Sequence, residues 1–173
     1  MREDTQSIMM PKQKPGKSKQ DYQTPVALLD AVKRRLQIVD FRCDLAADSK
    51  NHVCLPYITE EQDSLVADWP ETKGGWCWLN PPFADIEPWV AKAANASLNG
   101  TQTVMLVPAS VGSNWWRTWV EHYAYVSFLN GRLCFIPDWK EQGFKSPPLY
   151  PKDCAILLYS NWGFLGHEIW SWR

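Results

Sequence analysis

The stretch Thr103-Val104-Met105-Leu106-Val107, closed by Pro108, carries apolar side chains at successive positions with no polar alternation. Neighbouring residues of a strand point to opposite faces, so a strand that is apolar on both must be covered on both. The chain supplies the helices to do it. Residues 86–98, with Trp89 and Val90, read as one helix, and residues 113–122 read as an aromatic second. Further upstream, Val26, Leu28, Leu29, Val32 and Leu36 form a helical stripe, with Thr24 as the expected N-cap and Pro25 in the first helical position.

Other strands are expected at Ile38–Leu45, at 76–79 and at Tyr125–Leu129, with a weaker extended stretch at Val53–Ile58 and a short helix at Glu60–Ala67. Arg132–Ile136 and Cys154–Tyr159 read as an antiparallel pair joined by a long loop. Strands alternating with helices and closing on such a hairpin imply an α/β protein, a three-layer α/β/α sandwich with a C-terminal antiparallel hairpin. Open sheets of this kind bind ligands at the carboxyl ends of their strands, where Asp44, Asn80 and Pro108 would lie. No internal repeat interrupts the pattern.

A length of 173 residues suits one domain, and 45% hydrophobic residues suffice for a substantial core. Residues 1–19, with Lys12, Lys14, Lys17 and Lys19 among Pro11, Pro15 and Gly16, read as a flexible basic arm, either a solubilising terminus or a DNA-tracking segment. The globular unit is expected over residues 20–173. A net charge of −1 rules out a generally basic surface, so any contact with a polyanion must be local.

Five cysteines without a Cys-x-x-Cys pair are expected to be reduced core thiols of a cytoplasmic protein, and His52, His122 and His167 are too scattered for a metal site. No apolar run is long enough to cross a membrane, and with no charged-then-apolar start the protein is expected not to be exported by a signal peptide. Eleven tryptophans exceed what so small a core needs, which leaves some for ligands or partners.

The chemistry points to Asn80-Pro81-Pro82-Phe83, placed between a short strand and a helix. The Asn80 carboxamide oxygen and the Pro81 carbonyl are two acceptors, and Phe83 beside them is a flat stacking surface. Together they suit a planar amine, such as that of adenine, whose two hydrogens need acceptors and whose ring can stack. The bland alternative is a double proline that ends a strand, with Phe83 in the core.

These four residues resemble the catalytic motif of the S-adenosylmethionine-dependent amino-methyltransferases. Asp21-Tyr22-Gln23-Thr24-Pro25, Asp44-Leu45-Ala46-Ala47-Asp48, Asp68-Trp69 and Gly131-Arg132-Leu133-Cys134-Phe135 extend the likeness, in this order, to the small phage and prophage DNA N6-adenine methyltransferases. The resemblance runs from about residue 20 to 160. It implies a Rossmann-like fold, S-adenosylmethionine as cofactor, and transfer of its methyl group to adenine in double-stranded DNA with the base flipped out.

The resemblance also implies roles for individual residues. Asn80, Pro81, Pro82 and Phe83 become catalytic. Tyr22, Thr24 and Pro25 fall near the cofactor's methionine part, although Thr24 is equally suited to a helix cap. Asp44 and Ala46 belong to the first-strand cofactor loop, which has Ala46 and Ala47 where larger methyltransferases carry Gly-x-Gly. Asp68 is expected at the cofactor's adenine amine, and Asp63 or Glu60 at its ribose. Phe144, Lys145, Tyr150 and Arg132 are expected on the DNA side.

RNA adenine and a protein glutamine amide are alternative substrates of the same chemistry. A tryptophan-rich nucleic-acid-binding module without catalysis is the alternative from another class. The recognition sequence and the oligomeric state are not legible.

Overall fold

The computed structural model describes residues 23–136 and 140–173. The expected basic arm of residues 1–19 lies outside them, as does Tyr22. The described chain is a mixed α/β fold. Helix α1 spans Val26–Leu36, strand β1 Cys77–Leu79, helix α2 Glu87–Leu98, strand β2 Thr103–Pro108 and helix α3 Asn114–Trp119. Strands β3, Ala124–Leu129, β4, Cys154–Tyr159, and β5, Gly166–Trp170, complete it.

The strands form one five-stranded sheet in the order β1-β2-β4-β3-β5. β1 runs parallel to β2 and β3 parallel to β5, while β4 runs antiparallel to both β2 and β3. Beyond β1, residues 42–45 continue the parallel array: Arg42 N–H donates to Trp76 O (2.8 Å) and Leu45 N–H to Trp78 O (2.9 Å). Outside that, the Ile58 N–H donates to Asp44 O at 2.8 Å. The segments ending at Asp44, Leu79 and Pro108 therefore share one direction and end at one edge of the sheet.

β2 is buried at every position, as a strand apolar on both faces must be. Its side chains divide between two cores. Met105 and Val107 join Val90, Ala93 and Ala94 of α2 and Trp116 of α3. Val104 and Leu106 join Leu28, Leu29 and Val32 of α1, with Trp78 of β1 and Trp76 just before it. α1 thus covers one face, α2 and α3 the other.

Helix α1 ends in Lys33, Arg34 and Arg35, cations that suit the negative end of its dipole. Arg35 also pairs with Glu168 of β5 and lies over the Trp170 ring at 5.0 Å, which fastens the helix end to the edge strand. Helix α2 begins with Glu87 and Pro88, an acid and a residue that needs no N–H partner in the first turn.

Several expectations are corrected; of the strand expected at Ile38–Leu45 only the isolated bridge at Asp44 forms. The N-cap of α1 is Pro25, with no side-chain cap bond, because Thr24 turns inward and is buried. Residues 60–67 form turns instead of a helix, since Asp63 takes a left-handed φ of 48° that breaks helical progression. Residues 132–136 are not a strand: β4 is enclosed on both sides by β2 and β3, so no edge remains for a hairpin partner. β5 was not expected, because it is an edge strand with burial too shallow to leave an apolar alternation in the sequence.

No helix among the described residues is long and apolar enough to cross a membrane. The five cysteines are free. Burial pushes the Cys43 thiol up to about 11 and those of Cys54 and Cys154 to about 12, so these remain protonated apolar groups at neutral pH.

Candidate active site

A cavity of about 220 Å³ opens at the strand-end edge. One wall is the turn after residue 44, with Asp44, Ala46, Ala47 and Asp48. Another is Asn80, Pro81, Pro82 and Phe83, which follow β1. Thr24 from the entry to α1, Trp89 from the first turn of α2, and Phe135 and Tyr150 from the β3–β4 connection close the sides, and Thr59, Glu60, Asp63 and Ser64 add a fourth. Sequence positions more than a hundred residues apart meet here because parallel strands deliver their ends to one edge.

Asp44 is the most perturbed acid of the site. It is 3% exposed and accepts from the Val53 N–H (3.0 Å) and the Ala46 N–H (3.3 Å). Loss of water raises its pKa to about 6, against the opposing pull of those two N–H groups and of His52. A buried carboxylate in that state gains from a cationic partner. Asp48 instead caps its own turn, accepting from Lys50 N–H (2.6 Å) and Asn51 N–H (2.9 Å).

At the opposite wall, three rings meet edge to face. Phe83 lies 6.0 Å from Phe135 and 5.7 Å from Tyr150, and those two are 5.5 Å apart. Such packing fixes ring orientation while leaving Phe83 partly exposed to the cavity. Backbone bonds hold the supporting segments: Gln23 N–H donates to Phe135 O (3.1 Å) and Tyr150 N–H to Leu133 O (2.7 Å).

Of the residues singled out from the sequence, Thr24, Asp44, Ala46, Asn80, Pro81, Pro82, Phe83 and Tyr150 share the cavity lining. Pro25, Asp68, Arg132, Phe144 and Lys145 lie outside it, and Tyr22 lies outside the described residues. Arg132 is 51% exposed, with Nε 3.5 Å from an Asp153 carboxylate oxygen. The sequence reading gave no site role to Trp78, Trp89, Phe135 or Ser64. For Trp89 the signal was its place one turn after the motif; for Phe135, its place in the Gly131–Phe135 segment.

All four charged residues lining the cavity, Asp44, Asp48, Glu60 and Asp63, are acidic. Among the described residues, no group of three or more His, Cys, Asp or Glu is placed to hold a metal ion. The lining therefore offers acceptors to a cation at one wall and flat apolar surface at the other.

The family model described as DNA N-6-adenine-methyltransferase (Dam) matches residues 12–161. Two phage proteins named DNA N-6-adenine-methyltransferase are similar. The one from Haemophilus phage HP1 (strain HP1c1) is 31% identical over 131 residues, which cover 74% of this chain and 73% of the relative. The one from Escherichia phage T1 is 29% identical over 90 residues, 52% of this chain and 37% of the relative. No solved structure matches.

Proposed function

Because the chain belongs to the DNA N-6-adenine-methyltransferase (Dam) family and is therefore a DNA adenine N6-methyltransferase, we propose that it draws the methyl group from S-adenosylmethionine and acts on a base turned out of the duplex. The fold assigned to it on this reading is the Rossmann-like methyltransferase sandwich, with residues 20–173 as the catalytic domain. The observation that carries the site assignment is the single cavity bounded by both the Asp44 turn and Asn80–Phe83.

The lining fits this cofactor. An ammonium and a sulfonium call for acceptors and anions, and the cavity supplies Asp44, Asp48, Glu60 and Asp63 with no lysine or arginine among its lining residues. Asp44, already disfavoured as a buried anion, takes the ammonium. Asp63 and Glu60 take the ribose hydroxyls, and the small side chains of Ala46 and Ala47 let the backbone come close. When bound, S-adenosylmethionine supplies a methyl group activated on sulfur, whose transfer leaves a neutral thioether.

Asn80 and Phe83 handle the acceptor base. The Asn80 side-chain oxygen and the Pro81 carbonyl accept the two N6 hydrogens, which draws the amine lone pair out of the ring plane toward the methyl carbon. Phe83 stacks on the extruded base, an interaction worth about 1–3 kcal/mol, and Tyr150 closes on it from the side. Asn80 accepts hydrogen bonds but takes no proton. The surplus proton passes to water after the nitrogen–carbon bond forms.

The test is incubation of the full chain with methyl-labelled S-adenosylmethionine and unmethylated duplex DNA, followed by digestion to nucleosides. N6-methyladenine is the expected product. Asn80→Ala should lower turnover by about 10²–10³-fold with cofactor affinity within about twofold of wild type, the loss expected when one preorganised polar partner is removed. Wild-type turnover by that variant would refute the role given to Asn80.

A further inference from the structure

Resting on the cofactor reading above, we propose that Lys92 is a positioning residue: from helix α2 it sets the turn that presents Asp63 to the ribose side of the cavity. The turn has little holding it from within. Ser64 is buried and lines the cavity beside Asp63, but Glu60–Ala67 has neither helix nor strand to fix it. Its own bonds are those of successive turns: Asp63 N–H to Glu60 O (3.0 Å), Val66 N–H to Asp63 O (2.8 Å) and Ala67 N–H to Asp63 O (2.9 Å), with Leu65 N–H donating to the Asp63 carboxylate oxygen Oδ1 (3.1 Å).

The turn is clasped from behind by two side chains outside the cavity lining. The Lys92 ammonium donates to Leu65 O (3.1 Å) and to Ala67 O (2.5 Å), either side of Val66. Trp69 donates its indole N–H to Ser64 O (2.9 Å) and Ser64 Oγ (3.0 Å). The two are joined, since Lys92 Nζ lies over the Trp69 ring at 5.1 Å.

No carboxylate forms a salt bridge with Lys92 among the described residues, so its charge is spent on carbonyls and a ring. Burial lowers its pKa, while Asp68 and Asp63 pull it back up, which places both acids within electrostatic reach. Asp68 itself lies outside the cavity lining. Lys92 sits one turn beyond Trp89, itself part of the lining, so a single helix registers the Asp63 wall against the wall that follows Asn80–Phe83. That common mounting is what makes the clasp functional as well as structural.

The test measures S-adenosylmethionine affinity by calorimetry on the full chain for Lys92→Met, Asp63→Asn and the double variant, with kcat at saturating cofactor. Methionine keeps the aliphatic stem and removes the donors. Lys92→Met is expected to weaken cofactor binding about tenfold while kcat stays within about twofold, in line with charge-assisted bonds lost. In the Asp63→Asn background the same change should cost no more than about twofold, because Lys92 acts through Asp63. Lys92→Arg should restore most of the affinity.

Unchanged affinity in Lys92→Met, losses that multiply in the double variant, or no effect of Asp63→Asn would each overturn the proposal. Should Lys92→Met not fold, Trp69→Phe, which keeps a ring but loses the bonds to Ser64, is put through the same cycle with the same criteria. Asp44→Asn separates the two levels of inference. If it too leaves affinity untouched, the cofactor reading of the cavity fails; if it abolishes binding while Lys92→Met does nothing, only the clasp fails.

Discussion

Asp44→Asn should make the ligand-free protein more stable at neutral pH while destroying its affinity for S-adenosylmethionine. Burial moves this carboxyl from an ordinary 3.8 to about 6. At about 1.4 kcal/mol per tenfold in the ionisation constant, the folded state disfavours the anion by about 3 kcal/mol. Since the folded-state pKa is the higher, the folded chain holds the proton more tightly. The favourable contribution is complete below about 3.8 and is lost as pH rises through about 6.

Asparagine is isosteric and uncharged, but it accepts through one oxygen, so one of the Val53 and Ala46 N–H groups loses its partner at about 1–2 kcal/mol. The balance is a gain of about 1–2 kcal/mol, or about 2–8 °C in Tm for a domain of this size. Thermal unfolding without cofactor at about pH 7.5 and again at about pH 4.5 checks the sign, because the advantage must vanish or reverse where wild-type Asp44 is itself neutral. A variant less stable than wild type by the same amount at both pH values would refute the reasoning: the carboxylate would then be held by its hydrogen bonds and not penalised by burial.

Phe83→Leu keeps apolar volume but removes the stacking face, so KM for DNA should rise about 5–100-fold with cofactor affinity unchanged, whereas Phe83→Trp should retain most activity in steady-state assays. Cofactor affinity of the unsubstituted chain should fall as pH drops through about 6, where Asp44 takes up its proton, and calorimetric titrations across that range check it. Tyr159→Phe removes the bond from the buried hydroxyl to Trp119 O (3.0 Å) and should cost about 1–2 kcal/mol in denaturant unfolding without altering kcat.

Where a residue's neighbours in the chain decide its environment, the sequence was legible. Thr103–Val107 had to be a strand covered twice, because no other element buries five successive side chains so completely, and β2 is that strand. Asn80–Phe83 had to follow a strand and precede a helix, and it stands between β1 and α2. Legibility ended where a distant contact decides. Glu60–Ala67 has acceptable helix formers, but Asp63 adopts a left-handed φ and Lys92, about two dozen positions on, takes the Leu65 and Ala67 carbonyls that a helix would have used or capped. Phe135 likewise acquires its place from Phe83 and Tyr150, neither of which its own segment announces.

The cavity's two walls impose opposite electrostatic demands, and this bears on how a polyanion uses it. The four acids, on the turn after residue 44 and on the Thr59–Ser64 side, repel phosphate, yet the aromatic side of Phe83, Phe135 and Tyr150 carries no charge and suits a neutral base. A nucleotide can therefore enter base first, with its phosphates left outside, and a stacked base inside a duplex cannot meet that condition. On the proposed reading the net charge of −1 is no difficulty, because the anionic lining would serve the cationic cofactor and the DNA backbone would be contacted outside the cavity. Salt dependence separates the two contacts: rising ionic strength should weaken DNA binding steeply through released counterions, while cofactor affinity, set inside a sheltered cavity, should change far less. An equal decline of both would mean that the acids act as an exposed surface and that the division between walls has no energetic content.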